Sequence, residues 1–365
     1  LRDSRAFFLR GGSRKAKEKL CKTGFGAGLF LKERGVVMRK IYQILSILLI
    51  VVLLAGCSSV AQEQPPDQPY SINMAVLPGP SALGSLWLMD AAQNGDTINI
   101  YNIDILGTPE EVPPRIVQGT VDIAAVPTNM ASILYNATDG DITVLALSTM
   151  GVLHVVDATE EITSIADLAG RTVHLSGMGA APEFVFNYVL QQNGLIPGVD
   201  VELVFHAEMP QIAALLAQGA AEIALLPEPF ATTVMMQNDN LRHALDLTKE
   251  WNLVSPDHGL VMTAIIARTE FLANYPAAVE IFMEEFGRSI EFVNSNVADA
   301  AQLAVDFALI PNVNIAAQAI PRSNQVFITG HQMQRYLSGY LAVLYAQLPA
   351  AIGGSLPDED FYHIQ

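Results

Sequence analysis

Cysteine is nearly absent from this 365-residue chain: Cys21 and Cys57 are the only two. No disulfide framework can hold the fold, so it has to rest on a hydrophobic core, which 51% apolar residues can supply. Positive charge is the second shortage. There are 20 Lys and Arg against 37 Asp and Glu, and residues 1–56 hold 12 of the basic residues but only 3 of the acidic ones. The rest carries 8 basic against 34 acidic residues, a net of −26, and a field of that sign excludes nucleic-acid binding and keeps the domain off anionic lipid. Catalytic signatures are missing as well. There is no Gly-x-Ser-x-Gly, no Walker sequence and no complete Gly-x-Gly-x-x-Gly, since Gly177-Met178-Gly179-Ala180-Ala181-Pro182 stops short of the last. The seven histidines, at 154, 174, 206, 243, 258, 331 and 363, have no metal-ligand spacing, so neither a metal nor a cofactor is expected.

What is present begins at the N-terminus. Residues 1–37 are basic and unlike anything after them, and we read them as a mis-assigned upstream extension with Met38 as the preferred start. Arg39 and Lys40 then precede an apolar run over 41–54 that falls short of the ~20 residues of a membrane span. With Leu54-Ala55-Gly56-Cys57 behind it, segment 38–56 has the parts of a secretory signal. The tetrapeptide resembles the lipobox of bacterial lipoproteins, which implies that Cys57 is acylated and anchors the mature chain to the membrane. Residues 57–70, with Gln62-Glu63-Gln64-Pro65-Pro66-Asp67-Gln68-Pro69 inside them, have the composition of a flexible tether.

The body of the chain says one thing twice, 100 residues apart. Gln118-Gly119-Thr120-Val121-Asp122-Ile123-Ala124-Ala125-Val126-Pro127 is echoed by Gln218-Gly219-Ala220-Ala221-Glu222-Ile223-Ala224-Leu225-Leu226-Pro227. Each copy reads as a helix ending in Gln-Gly, a glycine turn, and a short buried strand stopped by proline. Strand and helix alternate from 72 to 126, which calls for a parallel sheet with right-handed crossovers. The fold expected is therefore α/β: two βαβ-type lobes joined by a two-segment hinge, near 148–158 and 257–268. Lobe one takes 71–152 and 262–365, lobe two 153–261. After 268 the chain reads as helical, with Val279, Phe282, Met283, Phe286, Ile290 and Val293 forming one buried stripe, Asn296 capping the next helix, and these helices packed on lobe one. Pro113-Pro114 should break or delay the helix after the second strand.

In an open parallel sheet a ligand sits beyond the carboxyl ends of the strands, against helix N-termini. The turns there supply the candidate contacts: Pro80, Ser81, Thr128, Asn129, Ser148 and Thr149 from lobe one, and Ser176, Gly177, Met178, Gly179, Glu183, Glu208 and Glu228 from lobe two. Gly177 and Gly179 let the backbone approach a ligand. Glu183, in the first turn of a helix, also suits the helix dipole. Glu228 lies between two prolines, where capping is the less natural role, and is read as a ligand contact. With Glu208 it favours a ligand bearing N–H donors or positive charge.

Leu77-Pro78-Gly79-Pro80, Val126-Pro127-Thr128-Asn129, Ile162-Thr163-Ser164-Ile165-Ala166-Asp167-Leu168-Ala169-Gly170-Arg171-Thr172 and Leu226-Pro227-Glu228-Pro229-Phe230 together resemble the substrate-binding proteins of ABC importers. The likeness is to the nitrate, sulfonate, taurine and thiamine-precursor group with the type II periplasmic-binding-protein fold. It implies a lipid-anchored extracytoplasmic receptor, monomeric and not an enzyme, that closes its lobes on a small solute and presents it to a permease and ATPase. The competing expectations are an enzyme of the same fold, as in some menaquinone-pathway and pyrimidine-precursor enzymes, and a sensory or adhesive lipoprotein without a transporter.

Overall fold

Ile72, Met74, Ala75 and Val76 are all buried, and in the computed structural model, which describes residues 69–364, they anchor strand β1 (Ser71–Val76) in the core of a first sheet. The elements that follow are α1 (Pro80–Leu83), α2 (Leu86–Asn94), β2 (Ile100–Ile105), α3 (Val112–Val117), β3 (Ile123–Pro127), α4 (Thr128–Ala137) and β4 (Ile142–Met150). A second set comprises β5 (Leu153–Asp157), β6 (Thr172–Ser176), α5 (Ala181–Gln192), β7 (Glu202–His206), α6 (Met209–Ala217), β8 (Ile223–Pro227), α7 (Phe230–Gln237), β9 (Arg242–Asp246) and α8 (Leu247–Val254). The chain ends through β10 (Val261–Arg268), α9 (Thr269–Asn274), α10 (Pro276–Ser295), α11 (Val297–Asp306), α12 (Val313–Ala319), β11 (Gln325–Ile328) and α13 (Gly330–Gln347). The leader and Cys57 lie outside the described residues.

Two sheets result, with strand orders β11-β4-β10-β3-β1-β2 and β7-β6-β8-β5-β9. Their βαβ halves are parallel, as the alternation requires: Met74 lies opposite Ile103 and Ile123, and His174 opposite Val204 and Ala224. The remaining pairings are antiparallel, because β5, β10 and β11 start on the side where the chain crosses and run against their neighbours. Met150 thus pairs with Val261, and Leu153 with Pro227. The carboxyl ends of the parallel strands in both sheets accordingly lie on the side where the chain crosses.

The repeat becomes two copies of one corner. Gly119 and Gly219 hold φ of +69° and +67°, which a residue with a Cβ adopts only under strain, and β3 and β8 each run through the middle of a sheet. The copies part most clearly at the acidic residue. Asp122 is buried, taking the Asn73 N–H at 3.0 Å and Arg268 Nη2 at 2.9 Å, whereas Glu222 is exposed.

Three features depart from the sequence reading. The segment after 268 is not wholly helical, because β11 adds a strand to the first sheet, Gln325 pairing with Thr149 and Ile328 with Leu147. Asn296 does not cap α11 with its side chain; its Nδ2 donates back to the Phe292 carbonyl at 3.4 Å. The last helix is not confined to lobe one either: Gln347 Nε2 donates to the Phe184 carbonyl at 2.9 Å, and the Tyr340 ring lies 5.9 Å from Trp251. The prolines act as read, since a short 3-10 turn at Pro109–Glu111 precedes α3, which begins at Val112 and lasts six residues. The stripe on α10 is buried except for Met283, which is half-buried.

Candidate functional site

Where β4 becomes β5, Gly151 is held from three directions. Thr248 Oγ1, at the start of α8, donates to its carbonyl at 2.8 Å, and Asn324 Nδ2 donates to the same oxygen at 2.5 Å. A Cβ at position 151 would stand 2.5 Å from Leu260 Cδ2, so the second crossing presses on the first. These contacts tie together the ends of both sheets at the point toward which their parallel strands run.

From lobe one, most of the expected side chains arrive there already engaged. Ser81 Oγ lies 3.3 Å from Thr263 Oγ1, Thr149 Oγ1 donates to the Pro80 carbonyl at 3.5 Å, and Thr128 Oγ1 donates to the Val261 carbonyl at 3.0 Å. Pro80 is half-buried. Ser148 is fully buried, and its Oγ has no hydrogen-bond partner among the described residues. The Asn129 amide is turned away to the Ala351 carbonyl, 3.4 Å off, so this residue belongs to the seat of the C-terminal segment.

Lobe two is more open. The loop after β6 carries Gly177 and Gly179 at φ of +85° and +72°, with Ser176 half-buried and Met178 exposed. Glu183 Oε2 accepts from the Gly179 N–H at 2.6 Å, which sets the loop on the start of α5. Glu208 is the N-cap residue of α6, exposed and without a capping hydrogen bond from its side chain.

Glu228 is placed otherwise than the sequence reading preferred. Its carboxylate turns inward, 1% exposed, and accepts from the Thr232 N–H at 3.2 Å and Thr232 Oγ1 at 3.0 Å. The side chain thus does the capping that the flanking prolines had argued against, because Thr232, four residues on, presents two donors on the first turn of α7. Burial pushes the Glu228 carboxyl up to about 7, with the Thr232 bonds and the Arg322 charge pulling the other way.

Beside it lies a polar group that sequence reasoning missed. His243 Nε2 sits 3.4 Å from Glu228 Oε1, and the His154 and His243 rings meet edge to face with centroids 4.7 Å apart. Burial holds both imidazoles below their ordinary value, His243 at about 4, so the His243–Glu228 approach joins a neutral ring to a carboxyl and is no ion pair at neutral pH. His154 Nε2 and both His243 ring nitrogens are buried without hydrogen-bond partners among the described residues. The available signal was one histidine in each of two short strands, Leu153–Asp157 and Arg242–Asp246, with nothing to say that those strands adjoin. A second pair, His174 and His206, joins β6 to β7 with ring nitrogens 2.9 Å apart.

Among the described residues no group of three or more His, Cys, Asp or Glu is placed to hold a metal, and no helix is long and apolar enough to cross a membrane. A cavity of about 530 Å³ lies between α10 and β11, lined by Leu145, Met283 and Phe327 and by none of the expected contact residues.

A family model described as NMT1/THI5 like matches residues 102–300, more than half of the chain. No curated protein matches. Among solved structures, an ABC transporter protein from Parabacteroides distasonis has a TM-score of 0.67 at 20% identity, over 80% of this chain and 98% of that one. The periplasmic aliphatic sulphonate binding protein SsuA of Escherichia coli gives 0.62 at 12% identity, over 79% and 91%. A putative periplasmic sulfonate-binding protein SsuA from Methylobacillus flagellatus gives 0.58 at 16%, over 81% and 92%. The chain therefore has the type II periplasmic-binding-protein fold.

Proposed function

The chain belongs to the NMT1/THI5-like family, and from that premise we propose that it is an extracytoplasmic substrate-binding lipoprotein of an ABC importer. It takes a small organic solute between its lobes by hinge closure, delivers it to a permease and ATPase, works as a monomer and catalyses no reaction. Acylated Cys57 is its anchor to the bacterial cell membrane.

One observation carries this reading: two like lobes direct the ends of their strands to one place, and one lobe meets it with an open glycine loop. Gly177 and Gly179 leave backbone free to approach a solute, while Ser81, Thr128 and Thr149 bring buried hydroxyls from the other side. Ser148, its hydroxyl unmatched, completes the lobe-one side. Ser176, Met178 and Glu208 supply the accessible edge in lobe two, with Pro80 opposite, and Glu183 supports the loop. Glu228 acts from beneath, through the dipole end of α7. Closure needs contacts that exist only when the lobes meet, and a solute touching both sides supplies them.

The test is a thermal-shift screen of the purified protein against sulfonates, nitrate, thiamine precursors, riboflavin and polyamines. Sulfonates come first because two of the structural neighbours are named for them. A solute at about a hundred times its Kd adds about 2.7 kcal/mol to the folded state, so a hit raises the Tm in step with its concentration. A hit that the protein converts into product refutes the receptor reading.

A further inference from the structure

The cavity between α10 and β11 has its cause in the first sheet. Strand β11 pairs with β4 at Thr149 and Leu147 only, and the C-terminal segment joins the same edge at Val144, whose carbonyl accepts the His363 N–H at 2.9 Å. The edge at Leu145 and Ala146 is left without a strand beside it among the described residues, and Leu145 is the cavity floor. Helix α10 forms one wall. Ala277, Glu280, Met283 and Glu284 share one of its faces, and a turn further on Gly287 lets the Phe327 ring close the end, since a Cβ there would stand 3.3 Å from Phe327 Cδ1. Thr329 and His363 stand across from it. A volume of about 530 Å³ is that of a small-molecule site. Protein interiors are close-packed, yet here Leu272 and Met283 stay half-buried and Phe327 is 37% exposed.

The rim adds charge of one sign. Glu280 and Glu284 are both exposed, one helical turn apart, and neither joins an ion pair among the described residues; Arg288, a turn beyond Glu284, does not reach it. Like charges at that spacing oppose each other, and a cation between them relieves the repulsion. We propose that this cavity is a second binding site, for an organic cation whose apolar body packs on Leu145, Met283 and Phe327 while its ammonium group sits between Glu280 and Glu284. An anion of the same shape meets two carboxylates and is turned away. None of the expected cleft residues lines the cavity, so the site stands independently of the receptor reading.

Titration calorimetry of the full chain with octylamine, octanol and octanoate, which put three different heads on one apolar body, tests this. Octylamine is expected to bind at one equivalent, octanol more weakly and octanoate not measurably. Glu280→Gln and Glu284→Gln, each at an exposed position, should each weaken octylamine by up to about fivefold, and the double variant should bind it no better than octanol. Ala277→Trp, also at an exposed position, puts an indole into the cavity and should abolish binding with the Tm unchanged. No saturable binding of octylamine, equal binding of octanoate, or full binding to Ala277→Trp overturns the proposal. Should Glu208→Gln remove the binding in place of Ala277→Trp, the amine occupies the cleft: the second site has failed and the receptor reading has not.

Discussion

Replacing Gly151 by alanine tests whether the two crossings form one tightly packed joint. The added Cβ would stand 2.4 Å from Thr248 Oγ1, 2.5 Å from Leu260 Cδ2 and 2.8 Å from Leu260 Cγ. None of these can retreat cheaply, because Leu260 is fully buried and Thr248 is β-branched and bonded to the Gly151 carbonyl. Overpacking of this kind costs about 1–3 kcal/mol, and losing the Thr248 bond adds about 1 kcal/mol. A total of about 2–4 kcal/mol corresponds to a fall in Tm of about 3–6 °C for a body of this size. Gly107→Ala is the control: at this exposed position the Cβ meets only Glu111 Oε1, at 3.3 Å, which is the end of a flexible side chain. Calorimetry should place the control within about 1 kcal/mol of wild type. A Gly151→Ala protein that melts with the control refutes the joint.

The two copies of the repeat should respond unequally. Asp122→Ala leaves the Asn73 N–H without its acceptor and Arg268 with Glu270 alone, and costs about 1–3 kcal/mol by urea unfolding, whereas Glu222→Ala at the matching exposed position stays within about 0.5 kcal/mol. Asp157 is fully buried, and although burial pushes its carboxyl up, hydrogen bonds from Thr159, Ile162 and Arg242 outweigh that and hold it below its ordinary value. Its contribution is complete above about pH 4 and is lost as pH falls through the folded-state value. Asp157→Asn should therefore lower stability at neutral pH and flatten the acid limb of the stability curve. Glu208→Gln, at an exposed position, should leave the Tm unchanged while weakening the Kd for a solute found by screening, by about tenfold if that solute donates hydrogen bonds to it.

The architecture was legible where local backbone chemistry dictates it. Gln-Gly followed by an apolar run and proline admits few structures, so both corners of the repeat and the strands they begin could be read directly. Strand β11 could not, because its four residues become a strand only by pairing with Thr149 and Leu147, some 175 residues earlier. The group made by His154, His243 and Glu228 was hidden for the same reason, since three distant segments converge there and no spacing encodes them. Glu228 is a different case. Thr232 stands four residues after it, one helical turn, and that spacing announces a side chain folded back on its own helix. The prolines on either side drew the reading outward, and the hydrogen bonds of α7 turned it inward.

The central claim is that two lobes close on an unaltered solute. Small-angle scattering of the full chain, titrated with the strongest solute from the thermal screen and followed by recovery of that solute, tests it most directly. The account predicts a radius of gyration that falls to a plateau at one equivalent, with the solute recovered intact. A solute that binds tightly without changing the radius, or that returns chemically altered, would contradict it.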